Sequence, residues 1–238
     1  MEMSCKMSVL PRVVLVTGTD TDVGKTIATA ALAAALTARD RTVAVYKPTQ
    51  AGTTDGQGDI DVVRRLSGLD DVHEGIRLPD PMAPVAAAAR ANIALPAARE
   101  HTAAVLQLAA THDHTLVEGA GGLLVALDKD GHTIADIASQ IGAPCATVVV
   151  CRSGLGTLNH TELTLEALRR RGVPVAGVVI GSWPRHPSQI DLSNREYLRH
   201  HGVPLIGVLP AGVVSLTPAQ FRASASDWFS AVDVTAVT

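Results

Sequence analysis

The chain is poor in aromatic residues, which make up only 3% of its 238 residues. A core with so few rings must be built from Val, Leu, Ile and Ala, and hydrophobic residues still amount to 47% of the sequence. That composition favours buried parallel strands covered by Ala-rich helices. The same scarcity leaves few platforms on which nucleic-acid bases could stack.

The chain also lacks a strong charge of either sign, because its formal net charge is −3. Without a basic field, a nucleic-acid backbone is not an expected partner. No apolar stretch reaches the length of a membrane span without a charge or a Gly or Pro break, so we expect no membrane partner. Residues 1–10 contain no long apolar region, and no signal peptide is expected there.

Cysteine is scarce as well, with three residues in the whole chain. Cys145 and Cys151 bracket a predicted strand, and six residues of strand span about 20 Å, which is too far for a disulfide. Cys5 lies in residues 1–10, which we predict to be a flexible tail. So few cysteines fit a reducing compartment, and we expect a cytoplasmic protein.

Short apolar runs alternate with Ala-rich helical patterns along residues 11–238, which we predict to form a single α/β domain. Most runs are continuous rather than alternating, as is typical of strands buried on both faces. The alternation of strand and helix implies a mostly parallel sheet with helices on both faces and right-handed crossovers. The predicted strands are Val13–Thr17, Val43–Tyr46, Thr115–Val117, Ala146–Cys151, Val175–Ile180 and Pro204–Val208. The predicted helices lie near 25–38, 59–67, 97–110, 133–141, 157–171, 188–201 and 217–230, and the stretch 79–96 is expected to be the least regular part.

Polar or glycine-rich segments follow four of these predicted strands. The segment Gly18–Thr26 follows the first strand, and Lys47 follows the second. Glu118 follows the third strand, and a glycine turn at Gly154–Gly156 comes after the strand that contains Val149. In an open α/β sheet, ligands bind at the carboxyl ends of the strands. We therefore expect these segments to share one edge of the sheet and to form a ligand site there.

The sequence Gly24-Lys25-Thr26, between the first strand and an Ala-rich helix, is typical of a phosphate-binding loop. Backbone N–H groups at a helix N-terminus point at phosphates, and the helix dipole favours their charge. Lys25 would reach the β- and γ-phosphates, and the hydroxyl of Thr26 would hold Mg²⁺. The generic pattern requires glycine where this chain has Thr19, and Gly18 stands one residue early. The alternative is a strand–turn–helix junction that uses glycine only for its turn.

Carboxylates are candidates for Mg²⁺ ligands, because this ion prefers oxygen. Glu118 precedes four small residues that leave room for a ligand, although it could instead form a buried ion pair with a lysine. Asp59 opens a predicted helix, where an ordinary N-cap or first-turn acid is the alternative and Asp61 is a competing carboxylate. Lys47, held before Pro48, could offset charge on a transferring phosphoryl group, or it could be a surface lysine.

The segment Gly154–His160 precedes a strong helix pattern over 161–171. Free N–H groups at such a helix start would attract a carboxylate or a phosphate. Ordinary capping by Thr157 or Asn159 is the alternative.

Taken together, these motifs resemble the dethiobiotin synthetase family. The motifs run in the family's order and cover most of the chain, whereas the first of them alone indicates only the wider class of P-loop ATPases. The resembling motifs are Gly18–Thr26, Lys47-Pro48 followed by Gly52, Asp59 on a helix, Pro81-Met82-Ala83-Pro84, Val117–Gly122 and Leu155–Thr161.

The resemblance implies a P-loop NTPase-like fold and an ATP-dependent cyclo-ligase that acts as a homodimer with its active site at the subunit interface. Its reaction would join 7,8-diaminopelargonate, CO₂ and ATP into dethiobiotin, ADP and phosphate. One amine captures CO₂ as a carbamate, whose oxygen attacks the γ-phosphorus. The second amine then attacks the carbonyl, closes the ring and expels phosphate.

The resemblance also implies roles for individual residues. Lys25 and Lys47 would be catalytic, and Thr26, Asp59 and Glu118 would hold Mg²⁺. Nucleotide contacts would fall on Asp22, Val23, Gly24, Lys25, Thr26, Ile27, Asp59, Glu118, Gly119, Ala120, Gly121, Gly181, Ser182, Pro210, Ala211 and Gly212. Substrate contacts would fall on Thr21, Lys47, Ala51 and Gly121, and, from the partner subunit, on Gly156, Thr157, Leu158 and Asn159.

Two positions depart from the family's pattern. Ala51 stands where members often have Ser or Thr, so a hydroxyl contact to the substrate is lost or moved, for example to Thr53. Ser182 stands where members often have an Asn that reads adenine, and one hydroxyl cannot make the paired contact of an amide. Other nucleoside triphosphates are therefore candidates beside ATP.

The alternative function is a switch or partition ATPase of the same P-loop class, which acts through protein partners. Such proteins usually carry a membrane or DNA element. The sequence contains no terminal amphipathic basic helix of that kind, and this argues against the alternative.

Overall fold

The computed structural model describes residues 8–52, 56–200, 202–229 and 232–233. Its strands, in chain order, are β1 Ser8–Val9, β2 Val13–Gly18, β3 Val43–Ala51, β4 Val72–Leu78, β5 His114–Gly122, β6 Cys145–Cys151, β7 Val175–Trp183, β8 Leu205–Pro210 and β9 Val232–Asp233. Its helices are α1 Lys25–Thr37, α2 Asp59–Ser67, α3 Pro84–Ala91, α4 Ala98–Ala109, α5 Ile134–Ile141, α6 Thr157–Arg170, α7 Gln189–His200 and α8 Pro218–Ala225.

Seven of these strands form one parallel sheet in the order β4-β3-β5-β2-β6-β7-β8. Strands β1 and β9 pair separately as a small parallel sheet. Since β2 is central and is followed directly by α1, the loop between them lies at the carboxyl edge of the sheet, where ligands bind. The predicted α/β class, with its P-loop-like arrangement, is confirmed.

Hydrophobic residues pack on both faces of the sheet. Along β2, Val14 and Val16 join a core cluster with α1, α2 and α8, whereas Val13 and Leu15 join another with α4, α5, α6 and α7. This alternation follows from the two-residue period of a strand and leaves every residue of β2 buried. Each large aliphatic side chain buried in this way contributes roughly 1.5–3 kcal/mol. The central strand is therefore a rigid base for the loop that follows it.

Besides the two-residue strands β1 and β9, strand β4 and helix α3 were not predicted from the sequence. Strand β4 lies at one edge of the sheet, and its residues alternate between buried and exposed, with Glu74 and Arg77 among the polar ones. Such charged, half-exposed strands are typical of sheet edges and differ from the continuous apolar runs elsewhere. Helix α3 lies inside the stretch 79–96, which was expected to be irregular, and it begins at Pro84, a favoured first helical residue.

Strands β3 and β5 run further than predicted. Lys47 and Glu118 therefore lie within strands rather than after them. Pro48 is tolerated in β3 because the pairing with β5 stops at Tyr46, so that no ladder hydrogen bond is lost on that side. The prediction placed the strand ends at the first charged residue, but these charges find partners inside the protein.

Residues 1–7, with Cys5, and Thr53 lie outside the described residues. The division into a tail over 1–10 and a single domain over 11–238 stays a prediction. Among the described helices, none combines the length and the apolar character that a membrane span requires.

Candidate active site

The loop between β2 and α1 turns through two left-handed residues, Asp22 with φ 56° and Gly24 with φ 94°. Thr19, which replaces the glycine of the generic pattern, does not have a positive φ, and its N–H donates to the carbonyl of Val150 at 2.9 Å. Glycine is needed where the backbone is left-handed, and Asp tolerates that conformation better than most other residues. The shifted glycine is therefore compatible with a phosphate-binding loop.

Lys25 is the first residue of α1 and is 8% exposed. Its Nζ donates to the carbonyl oxygen of Asp20 at 3.0 Å. A Cβ on Gly18 would lie 2.6 Å from that oxygen and 3.0 Å from Nζ, so the absence of a side chain at Gly18 lets the lysine fold under the loop. The ammonium group is thus held at the centre of the loop, where phosphates would bind.

A buried charged centre lies beside this loop. The Nζ of Lys47 is 2.5 Å from Oδ2 of Asp59, 2.9 Å from Oε1 of Glu118 and 3.1 Å from the carbonyl of Gly119. The hydroxyl of Thr26 donates to the same Oε1 of Glu118 at 2.9 Å. Lys47 is therefore not a surface lysine, and Glu118 does form the buried ion pair that the sequence left open.

These contacts shift the pKa values of the charged groups. Burial acts to lower the pKa of Lys47, but Glu118 and Asp59 outweigh it and raise that pKa. Burial raises the pKa of Glu118, and Asp59 adds to the rise. Burial also acts to raise the pKa of Asp59, but Lys47 outweighs it and lowers that pKa. One ammonium, that of Lys47, lies between the two carboxylates. A second, that of Lys25, has its pKa lowered by burial and by Lys47, and is close enough for Glu118 and Asp59 to oppose that shift.

Asp59 and Asp61, the two candidate carboxylates of α2, have different partners. Asp59 faces Lys47 and keeps 36% of its side chain exposed. The Oδ2 of Asp61 instead accepts the N–H of Gly58 at 2.8 Å and a guanidinium N–H of Arg77 at 3.2 Å. Asp61 thus serves the start of the helix, and Asp59 is the carboxylate that reaches the charged centre.

The donor atoms of this centre fit a divalent metal ion. Oε2 of Glu118 is buried and has no hydrogen-bond partner among the described residues. A buried carboxylate oxygen without a partner is costly and requires a ligand or another explanation. Together with the hydroxyl of Thr26 and the partly exposed carboxylate of Asp59, it offers the all-oxygen donor set that Mg²⁺ prefers.

A cavity of about 850 Å³ opens above the charged centre. The predicted site residues that line it are Thr21, Asp22, Gly24, Lys25, Thr26, Ile27, Lys47, Ala51, Asp59, Ala120 and Gly121. The wall also contains residues 81–84, from a motif of the resemblance, and Thr49, Gln50, Gln57 and Val125, which are not among the predicted site residues. The two-residue period of β3 would have indicated Thr49 from Lys47, but no sequence signal indicates Gln50 or Val125.

The predicted nucleotide residues further along the chain form a rim beside the phosphate loop and do not line this cavity. A Cβ on Gly24 would lie 2.7 Å from the carbonyl of Gly181, so the two backbones are in direct contact. The N–H of Ala211 donates to the carbonyl of Trp183 at 2.7 Å, and Trp183 pairs with Pro210. These contacts bring Gly181 and Ser182 next to 210–212. Val23 is buried in the loop, while Glu118 and Gly119 lie beneath the cavity.

The predicted substrate residues 156–159 lie apart from the cavity of the same chain. Gly156 caps α6 with φ 87°, and the hydroxyl of Thr157 donates to the carbonyl of Arg152 at 2.6 Å. Asn159 is exposed, and Leu155 just before the helix is 83% exposed. This helix start is thus open to solvent rather than to the charged centre of its own chain.

Comparisons with solved structures support the fold. The septum site-determining protein MinD from Pyrococcus horikoshii OT3, complexed with Mg-ADP, superposes with a TM-score of 0.59 at 18% identity, covering 92% of each chain. The cell division protein FtsY from Thermotoga maritima superposes with a TM-score of 0.52 at 16% identity, covering 95% of this chain and 73% of that one. Identities this low carry information on the fold alone.

Comparisons of sequence are more specific. Residues 12–216 match a family described as an AAA domain. The ATP-dependent dethiobiotin synthetase BioD of Mycobacterium sp. (strain KMS) is 51% identical over 88% of this chain and 92% of its own length. The protein of the same name from Mycobacterium avium (strain 104) is 49% identical over 94% of this chain and 98% of its own length. Relatives at this identity and coverage show that this chain belongs to the ATP-dependent dethiobiotin synthetase family.

Proposed function

We propose that this protein is a cyclo-ligase that converts 7,8-diaminopelargonate and CO₂ into dethiobiotin, a step of biotin biosynthesis, with hydrolysis of a nucleoside triphosphate to the diphosphate and phosphate. The observation that carries the proposal is the meeting of two lysines and three oxygen donors at one cavity. Lys25 and Lys47 provide the positive charge, and Thr26, Asp59 and Glu118 provide the oxygens.

The reaction needs little covalent participation from the protein. A carbamate oxygen of the carboxylated diamine attacks the γ-phosphorus, and the bond to the nucleoside diphosphate breaks. The second amine attacks the carbonyl of the resulting anhydride, and phosphate leaves. Phosphoryl transfer depends on positioning and on stabilisation of charge, which Lys25 and Lys47 would supply. Thr21, Ala51 and Gly121, on the wall of the cavity, are proposed to contact the diamine.

The three oxygen donors would hold Mg²⁺. When bound, the ion would supply positive charge to the phosphate oxygens. Lys47 would share Asp59 and Glu118 with it, since both carboxylates contact the Nζ of Lys47.

We also propose a homodimer in which residues 156–159 of one subunit bind the substrate carboxylate in the site of the other. Two observations support it. The helix start at 156–159 does not line the cavity of its own chain, and free N–H groups at such a start attract anions. Leu124, Leu155 and Leu163 are 55%, 83% and 56% exposed, and Leu124 and Leu163 line a second cavity of about 410 Å³. Exposed apolar side chains of this kind are suited to a protein interface.

ATP is the expected co-substrate, and Ser182 makes other triphosphates candidates, because one hydroxyl offers a weaker reading of the base than an amide. Pro210, Ala211 and Gly212 would lie near the base, beside Gly181. A cytoplasmic location is proposed from the free, buried thiols of Cys145 and Cys151, which fit a reducing compartment.

The test is a mass-spectrometric assay of the purified protein with Mg²⁺, bicarbonate, 7,8-diaminopelargonate and each nucleoside triphosphate in turn. We expect a product heavier than the diamine by one carbonyl less two hydrogens, with one phosphate released per ring. The yields would rank the nucleotides. A bound triphosphate without product would contradict the proposal, and a hydrolysis rate that is equal with and without diamine would favour a switch ATPase.

A further inference from the structure

Helix α2 begins at Asp59, the carboxylate that pairs with Lys47. The first N–H groups of a helix have no partner within the helix and are usually satisfied by the side chain of the N-cap residue. Here the N-cap is Gly58, which has no side chain. The first N–H groups of this helix therefore need partners other than an N-cap side chain.

Gln50 supplies one of these groups. It lies near the end of β3 and is 5% exposed, and its Oε1 accepts the N–H of Asp59 at 2.8 Å. Its Nε2 donates to the carbonyl of Ala51 at 3.2 Å, which orients the amide. The backbone of Asp59 is thus hydrogen-bonded directly to strand β3. The same strand carries Lys47, which precedes Gln50 by three residues.

A second group holds the helix start from the other side. The N–H of Gly58 donates to Asp61, which Arg77 of strand β4 also contacts. A Cβ on Gly58 would lie 3.1 Å from Oε1 of Gln50 and 2.9 Å from the guanidinium of Arg77. Gly58 therefore allows both groups to approach the first turn, and the two together restrict where Asp59 can lie.

We propose that Gln50 is a positioning residue for the reaction: its hydrogen bond to the backbone of Asp59 places that carboxylate against Lys47 and the divalent cation. This inference rests on the proposed function, because it assigns Gln50 to the same charged centre. Groups that orient metal ligands from behind commonly change metal affinity by about 10–100-fold when they are removed. An ordinary helix cap would change stability and leave the cation requirement as it is.

The experiment compares three variants with the wild type. Gln50→Met has a similar length but removes the acceptor. Gln50→Glu keeps an oxygen acceptor, which is favourable at a helix N-terminus as a carboxylate, and loses only the donor to the carbonyl of Ala51. Gln140→Met is the control for the same substitution away from the charged centre, because the side-chain oxygen of Gln140 also accepts one hydrogen bond, from Thr102, although Gln140 is exposed.

Two activity measurements are needed for each variant. We expect Gln50→Met to raise the Mg²⁺ concentration for half-maximal activity by about tenfold, with the KM for 7,8-diaminopelargonate changed by less than about threefold. Gln50→Glu should lie within about threefold of the wild type, and Gln140→Met should not differ from it. An unchanged Mg²⁺ requirement in Gln50→Met, or a Gln50→Glu variant as impaired as Gln50→Met, would overturn the inference.

Two further measurements do not depend on turnover. The affinity for Mg²⁺ in the presence of ADP, measured by calorimetry, should fall about tenfold in Gln50→Met alone. Amide hydrogen exchange over 59–62 should be faster in that variant, because the helix start opens more often. If the wild type forms no dethiobiotin, the proposed function fails while these measurements still decide the role of Gln50. Faster exchange with unchanged Mg²⁺ affinity would reduce Gln50 to a helix cap and overturn the inference.

Discussion

The charged centre at the cavity and the cluster of Asp128, Asp130 and His132 both bring acidic groups together, but they use them differently. In the second cluster, the ligand atoms lie within 4.8 Å of one another, which is a geometry suited to a metal. Yet both oxygens of Asp128 are occupied by the N–H groups of Ala98, Asp130 and His132 and by the His132 ring. In the first, Oε2 of Glu118 has no such partner in the described part of the chain.

The pKa values of the two buried acids, Asp128 and Glu118, shift in opposite directions. Burial acts to raise the pKa of Asp128, but the N–H groups of Ala98 and His132 outweigh it and lower that pKa. Burial raises the pKa of Glu118, and Lys47 does not cancel the rise. Proximity of acids alone therefore does not identify a ligand site. Asp128, whose oxygens both accept hydrogen bonds, stabilises a loop. Glu118, which has one oxygen without a partner among the described residues, is available to a ligand.

The largest effect is expected for Lys47→Met. It leaves Asp59 and Glu118 without their cation, so the free energy of unfolding should fall by about 3–5 kcal/mol. The rate of dethiobiotin formation should fall by about 100- to 1,000-fold, because charge on the transferring group loses its support. Urea denaturation and the product assay measure the two losses. Lys129→Met is the control: Lys129 is 85% exposed beside Asp130, and its loss should change stability by less than about 1 kcal/mol. Equal losses in both variants would remove the distinction between the two clusters.

Glu118→Gln should separate activity from stability. We expect the rate to fall by about 100-fold, because an oxygen donor and its charge are lost. The free energy of unfolding should change by less than about 1 kcal/mol, since removal of a buried negative charge offsets the weaker bond to Lys47. Asp130→Asn, at a half-exposed acid of the other cluster, should change neither quantity. A large loss of stability in Glu118→Gln would mean that Glu118 is chiefly a structural ion-pair partner.

Asp128→Ala should show the opposite behaviour. The N–H groups of Ala98, Asp130 and His132 lose their acceptor, and the free energy of unfolding should fall by about 2–4 kcal/mol. The Mg²⁺ concentration for half-maximal activity should equal that of the wild type. Denaturation curves and Mg²⁺ titrations check the two parts, and a raised Mg²⁺ requirement would show that this cluster also serves the cation.

The smallest effect concerns pH. The hydrogen bond to Asp128 raises the pKa of His132 above its ordinary value. A group whose pKa is higher in the folded than in the unfolded protein stabilises the folded state. Its full contribution is present at pH values below the unfolded-state pKa, and it is lost as the pH rises through the folded-state pKa. The melting temperature of the wild type should therefore exceed that of His132→Gln more at about pH 6 than at about pH 9. A difference that does not depend on pH would show that the ring acts without its charge.

Much of the fold followed from pattern. The continuous apolar runs predicted six strands of the seven-stranded sheet, and all of them are present, with ends that differ by a few residues. Strand β4 was missed because an edge strand alternates and carries charge, so it differs from a buried run. Helix α3 was missed because a Pro-rich context is typical of irregular structure, although Pro84 begins the helix.

By itself, the sequence determined most of the strands and helices and the residue types at the sheet edge, because both follow from local periodicity and from residues adjacent in the chain. Only the tertiary structure decided which carboxylate contacts the charged centre and which one caps a helix or stabilises a loop. Asp59 faces Lys47 because Arg77, from the unpredicted β4, and Gln50 hold the helix start on which Asp61 acts as a cap. Among the described residues, Glu118 keeps an oxygen without a partner, whereas Asp128 accepts a backbone N–H from Ala98, thirty residues earlier in the chain. Hydrogen bonds between segments distant in the chain depend on folding, and no local pattern encodes them.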